Sequence, residues 1–223
     1  MVGKPCLSPE RVRSLVGPDG NFQNQKFLKR LRTGIIRSEE LEAEFDAQIG
    51  RLKQFAGSHL THMDSQGNSH LSYFGLFLKL ARKWELQRIR NNASFICLEA
   101  PQPQLCRWKV YVRNPHIWLA HRYRRLQMRR ARRAGIRLAD NLVTVGYAGT
   151  GNKSNPENWF RILKNLPAGT YEIYCHPAYP DETLRRWASY CDDRARELAI
   201  LQGNELCRAA REAGVEIINF NAI

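Results

Sequence analysis

The chain has 223 residues, enough for one domain of ordinary size, and a hydrophobic content of 43% typical of a soluble globular protein. Its net charge of +14 favours an anionic partner, whereas the lack of an apolar run of about 18 residues predicts no membrane span. The first twenty residues hold no apolar segment of signal-peptide length, so we expect no export signal.

Helices are predicted along most of the chain, after an extended loop in the Pro- and Gly-containing residues 1–25. The clearest helix begins at Ser38, which can cap it, and ends at Gly57. Its apolar residues recur at helical spacing and predict the buried face: Leu41, Phe45, Ile49, Leu52 and Phe55. The other predicted helices are 27–31, 71–87, 115–134, 155–163, 183–200 and 203–213.

Strands are predicted between these helices. The segments are 59–63, 89–90, 95–98, 142–145, 171–175 and 215–220. Alternation of strands and helices with short connections predicts an α/β fold with a parallel sheet. Ligands of such folds gather at the carboxyl ends of the strands. Asp64 follows one predicted strand and His176 follows another, so both are candidate site residues.

The six cysteines contain no CxxC pair and give no support for a zinc finger. A chain of this length does not need disulfides, so we expect reduced thiols and a cytoplasmic protein.

Basic residues are concentrated between Glu99 and Asp140, a segment with eleven Lys and Arg and no acidic residue. The predicted basic helix 115–134 lies within it. Such a helix can bind an anionic surface or a nucleic acid without sequence specificity. The ordinary explanation, a solvated helix face whose Arg stems cover neighbouring surface, is favoured here over nucleic-acid binding.

The segment LTHMDSQGNSHL, residues 60–71, brings two histidines close to an aspartate. His70 and Asp64 have the ligand chemistry of Zn²⁺ or a similar divalent ion, which lowers the pKa of bound water. The alternative is a polar turn of hydrogen-bonded side chains. For His62 we favour that alternative, with its ring fixing Asp64 or a neighbour.

The segment CHPAYPDETL, residues 175–184, places a histidine directly after a predicted strand. Pro177 and Tyr179 would make a rigid rim around it. His176 could serve as a general acid near neutral pH. A turn with a buried imidazole would explain the same pattern, and the residues alone do not decide between the two.

With both motifs identified, the sequence resembles the YdjC-like carbohydrate deacetylase family. Residues 61–70, THMDSQGNSH, stand in place of the family's T-H-x-D-S-H-x-x-x-H motif. Residues 175–181, CHPAYPD, match its C-H-P-G-Y-x-D motif. The Y-x-x-x-R-x-x-E-L segment that follows in the family is matched by Tyr190, Arg194, Glu197 and Leu198. The resemblance covers nearly the whole chain.

This resemblance implies an incomplete (β/α) TIM-like barrel with parallel strands, formed by a single domain over residues 1–223. It implies a divalent metal, Mg²⁺ or Zn²⁺, and hydrolysis of the N-acetyl group of an amino sugar or oligosaccharide. In the implied reaction, metal-bound water attacks the amide carbonyl, Asp64 is the base and His176 assists the leaving amine.

The remaining predicted site residues surround these two. Gln66 and His70 would lie on the metal side, and Tyr179 would contact the substrate. Arg90, at the end of a predicted strand, could bind substrate hydroxyls or an acidic group.

Two departures from the family pattern give an alternative function. The family's first βα elements, with an Asp-Asp motif and a metal-binding His, have no counterpart here, so we expect a longer protein. A homodimer could otherwise cover the sheet edge left open. Gln66 also replaces the metal-ligand His, and an amide binds metal more weakly than imidazole. The alternative is a non-catalytic relative that binds sugars or a partner protein.

Overall fold

The computed structural model describes residues 3–23, 25–93, 95–96, 111–143, 145, 155–188 and 190–223, and the side chains of all of these except 66–69, 95–96 and 187. The chain divides into two compact units, one of Met1–Ile89 with Arg133–Arg137 and one of Arg90–Arg132 with Leu138–Ile223. None of the helices in the described part combines the length and apolar character that a membrane crossing requires.

The first unit is built from three helices, α1 (Phe27–Arg32), α2 (Ser38–Ala56) and α3 (Phe74–Lys83), with 3₁₀ turns at Pro9–Arg11, Gly57–His59 and Gln66–Tyr73. Its core contains Val12, Leu15, Ile36 and Leu41. Two residues of the N-terminal loop are therefore buried, although the loop contains little regular structure. Glu44 of α2 holds this loop, because its carboxylate accepts the backbone N–H groups of Cys6 and Leu7.

The predicted helix from Ser38 is confirmed, but part of its predicted buried face is wrong. Leu41 and Ile49 are buried, whereas Leu52 and Phe55 are 55% and 95% exposed. The first helical residue is Ser38 itself, and no side chain caps the helix at Arg37. Gly57 ends the helix at a φ of 55°, a conformation that favours glycine.

The predicted strand 59–63 is wrong, because a 3₁₀ turn reaches His59 and Met63 alone makes an isolated parallel bridge, to Ile89. The helix predicted over 71–87 begins instead with the 3₁₀ turn, which continues into α3. The buried residues of α3 are Phe74, Phe77, Leu80 and Ala81.

The second unit contains a parallel sheet of β1 (Phe95–Ile96), β2 (Asn141–Val143) and β3 (Tyr171–Ile173), with β2 in the middle. Phe95 pairs with Leu142, and Leu142 pairs in turn with Glu172. The helices with described bounds are α4 (Pro115–Arg133), α5 (Pro156–Lys164), α6 (Glu182–Trp187), α7 (Cys191–Gln202) and α8 (Asn204–Glu212). The α/β class with parallel strands is confirmed, and the barrel stays a prediction.

A buried cluster of this unit joins Val143 of β2 and the nearby Val145 to Trp159 and Ile162 of helix α5. The helix over 183–200 is interrupted, since α6 ends at Trp187 and α7 begins at Cys191. The strand over 215–220 is wrong, because those residues are irregular until a 3₁₀ turn at Phe220–Ala222. Residues 97–98 and 144 of two further predicted strands lie outside the described residues.

Candidate functional site

The polar loop of the first unit is organised around Ser65 and His70. The Ser65 Oγ and the His70 Nδ1 lie 2.5 Å apart and share a hydrogen bond, and the His70 backbone N–H donates to the same Oγ at 3.0 Å. The imidazole stacks on Phe77, with ring centroids 4.5 Å apart. His70 is only 1% exposed, whereas Asp64 is exposed. The loop therefore directs His70 into the core of its unit.

These contacts bear on the metal that the family resemblance implies. Among the side chains that the structure describes, no three His, Cys, Asp or Glu come close enough together to hold an ion. His70 presents a buried ring whose Nδ1 already bonds Ser65. The metal role of His70 therefore stays a prediction. The side chain of Gln66 lies outside the described atoms, so its metal role stays a prediction.

His62 forms a local hydrogen bond with the residue before it. Its Nδ1 lies 3.0 Å from the Thr61 Oγ1. This agrees with the expectation that the ring fixes a neighbouring residue.

The second polar cluster lies in the second unit, just after β3. The His176 backbone N–H donates to the Glu197 carboxylate at 2.5 Å, and Glu197, on α7, is only 1% exposed. The His176 imidazole meets the rings of Tyr174 and Tyr190 edge-on, at centroid distances of 5.7 and 6.1 Å. A buried carboxylate and two aromatic rings thus position a half-buried imidazole at the carboxyl end of a parallel strand.

Arg90 belongs to the same cluster. Its guanidinium forms an ion pair with Glu172 of β3 and lies 5.7 Å from the centre of the Tyr174 ring. The Arg90 side chain keeps 25% of its surface exposed, against 9% for Glu172. The predicted contact of Arg90 with substrate stays a prediction, and its ion pair would fix the direction in which the guanidinium points.

Tyr179 is exposed beyond His176 and receives a hydrogen bond from the Gln202 Nε2 at 3.1 Å. The segment before it is joined to α7 by the Ala178 backbone N–H, which donates to the Arg194 carbonyl. The structure therefore brings His176, Tyr179 and Arg90 into one unit. Asp64, Gln66 and His70 belong to the other unit.

Sequence reasoning missed the roles of Glu172 and Glu197. Glu197 appeared only as one letter of a motif, and nothing in the sequence showed that it is buried against the backbone of His176. A carboxylate at a helix position is ordinarily exposed, so its pattern carries no such signal.

Cys175, next to His176, should be a slow nucleophile. Burial raises the pKa of its thiol, the negative charge of Glu197 raises it further, and Arg90 partly offsets both. A raised thiol pKa leaves less thiolate at neutral pH. We expect alkylation followed by peptide mass spectrometry to label the exposed Cys6 and Cys207 well before Cys175. Labelling of Cys175 at the rate of Cys6 would contradict the raised pKa of its thiol.

Comparison with known proteins gives several matches that cover nearly the whole chain. The family model described as YdjC-like protein matches residues 1–212. A carbohydrate deacetylase of Enterococcus faecalis (strain ATCC 700802 / V583) is 30% identical, over 99% of this chain and 72% of its own length. A carbohydrate deacetylase of Thermoanaerobacter pseudethanolicus (strain ATCC 33223 / 39E) is 26% identical, over 99% of this chain and 74% of its own length.

A solved structure gives the same result. The crystal structure of an Enterococcus faecalis V583 protein named for cellobiose-phosphate cleavage superposes with a TM-score of 0.70 at 26% sequence identity. The match covers 98% of this chain and 72% of that protein.

Proposed function

Because the chain belongs to the YdjC-like family, we propose that it acts on amino sugars or their oligosaccharides as a carbohydrate N-deacetylase, with His176 as the acid. The observation that carries the proposal is the placement of His176 at the carboxyl end of β3, where Glu197 holds its backbone and two tyrosines confine its ring. Relatives that are named carbohydrate deacetylases support the substrate class.

In the proposed reaction, water adds to the carbonyl carbon of the N-acetyl group and the C–N bond then breaks. The nitrogen leaves with the bonding electron pair and takes a proton from the His176 imidazole, which releases the amine and acetate. Imidazole suits this task because it exchanges protons near neutral pH. The resemblance gives the role of the base that takes the proton from water to Asp64, and this role stays a prediction.

The other parts of the proposal follow from the resemblance. Arg90 and Tyr179 would contact sugar hydroxyls, and the three parallel strands would belong to an incomplete (β/α) barrel. The divalent ion that the family implies has no complete ligand set among the described side chains. No step is therefore assigned to the ion, and the proposal is stated for His176.

The test is acetate release from N-acetylated chitooligosaccharides by the wild-type protein and by His176→Ala. We expect the variant to lose about 10²- to 10⁴-fold in kcat, the usual contribution of a general acid. His116→Ala, an exposed histidine of α4, is the matched control and should keep full activity. Full activity of His176→Ala, with an unchanged circular dichroism spectrum, would remove His176 from the mechanism.

A second candidate function is sugar binding without catalysis. The burial of His70 and the presence of Gln66 in place of the motif histidine favour it. It predicts that the wild-type protein binds chitooligosaccharides in calorimetry but releases no acetate, even with added Mg²⁺ or Zn²⁺. Acetate release that depends on His176 would support the deacetylase function and exclude sugar binding without catalysis.

A further inference from the structure

The outer face of helix α4 combines arginines with large apolar side chains. We define this outer face as Trp118, Leu119, Arg122, Leu126, Arg129 and Arg130. Leu119 and Leu126 are 60% and 51% exposed, and Trp118 is 43% exposed. Leu119, Arg122, Leu126 and Arg129 follow one another at intervals of three or four residues and therefore share one side of the helix. The buried residues of α4 are Gln127, Met128 and Ala131.

All charged side chains of this outer face are positive. No acidic residue occurs between Glu99 and Asp140, so the helix supplies only positive charge. The Arg122 guanidinium lies over the Trp118 ring, 5.0 Å from its centre, which places a cation directly on an exposed aromatic surface. The outer face therefore offers charge and apolar area together, over a helix of 19 residues.

We propose that the outer face of α4 binds the surface of an anionic lipid bilayer, with the helix lying parallel to the membrane plane. Arginines would contact the phosphate groups of the lipids, and the two leucines with Trp118 would enter the boundary between head groups and acyl chains. Long Arg side chains can reach the head groups while their stems remain beside the apolar residues.

A polyanion such as RNA explains these observations less well. It would bind the arginines, but it would leave Leu119 and Leu126 in water, since a phosphate backbone offers them no apolar surface. A bilayer satisfies both kinds of side chain. The proposal concerns residues outside the candidate site and does not depend on the deacetylase function.

The experiment is co-sedimentation of the whole chain with vesicles. We expect binding to phosphatidylcholine vesicles that contain phosphatidylglycerol, and none to vesicles of phosphatidylcholine alone. Each basic residue near an anionic surface contributes roughly fivefold in affinity, so Arg129→Gln with Arg130→Gln should weaken binding about 25-fold. The matched control is Arg51→Gln with Arg186→Gln, which removes the same charge from exposed positions elsewhere and should change binding little.

The leucines supply the decisive variant. Leu119→Ser with Leu126→Ser keeps every charge and should weaken binding by about tenfold, because apolar insertion is lost. Leu52→Ser with Ile217→Ser, at residues 55% and 60% exposed, is its control. The proposal is overturned if the Leu119/Leu126 variant binds as the wild type does, or if the control arginine pair has the same effect as the α4 pair. Binding to single-stranded RNA without binding to vesicles would also overturn it.

Discussion

Replacing His70 with alanine is expected to lower the free energy of unfolding by about 2 to 4 kcal/mol and to leave the metal content of the protein unchanged. The ring is almost fully buried and stacks on Phe77, so its removal opens a cavity. The Ser65 Oγ would also lose the Nδ1 partner that it has in the folded chain. Urea unfolding and metal analysis after dialysis against Zn²⁺ and Mg²⁺ measure the two effects.

Two further variants separate these contributions. Ser65→Ala should lower the free energy of unfolding by about 1 kcal/mol, since it removes hydrogen bonds without creating a large cavity. The double variant, with His70→Ala and Ser65→Ala, should lose less free energy of unfolding than the two single variants lose together. Both substitutions remove the same hydrogen bond. His59→Ala, at an exposed histidine, should stay within about 0.5 kcal/mol of the wild type. A stable His70→Ala that has lost a bound ion would identify His70 as a metal ligand instead.

Replacing Glu44 with alanine is expected to lower the free energy of unfolding by about 3 kcal/mol or more. The Glu44 carboxylate is fully buried and accepts three hydrogen bonds. The donors are the backbone N–H groups of Cys6 and Leu7, at 2.9 and 3.0 Å, and the Gln48 Nε2, at 2.7 Å. Alanine would leave the two backbone donors without their acceptor. The N-terminal loop should then become sensitive to limited proteolysis near these residues.

The matched variants for this test are Glu44→Gln and Glu39→Ala. Glutamine keeps one acceptor oxygen at position 44 and should lose about half as much stability as alanine. Glu39 is an exposed residue of the same helix, so its alanine variant should change the free energy of unfolding by less than about 0.5 kcal/mol. Equal stabilities of Glu44→Ala and Glu39→Ala would show that Glu44 does not hold the loop.

Two helices were predicted nearly to their bounds, because the signal for a helix is local. The basic helix predicted over 115–134 is α4 at Pro115–Arg133, and the helix predicted over 203–213 is α8 at Asn204–Glu212. The strand predicted over 215–220 failed, although Val215, Ile217 and Ile218 have strong β propensity. A strand also needs a neighbour to pair with, and these residues alone do not specify one. Ile217 and Ile218 are exposed instead.

The candidate site was predictable only where a motif falls at the end of a strand. His176 follows β3 as its position suggested. The carboxylate that holds it, Glu197, comes from 21 residues further along the chain. His70 was predicted as a metal-side residue from the family motif and its closeness to Asp64, and this role stays a prediction. Its burial depends on how the loop packs on Phe77. Such tertiary contacts join side chains from different elements. Residue spacing within one element therefore does not predict them.

The sheet of the second unit has a consequence for the order of assembly during synthesis. The Arg90–Glu172 ion pair joins residues 82 apart in the chain, and the parallel strands are likewise separated by helices. Contacts of such long range form slowly, because the entropy of closing the intervening chain must be lost first. On the ribosome, β2 acquires its second neighbour only after residues 171–173 have emerged. His176 acquires Glu197 later still, when α7 is complete.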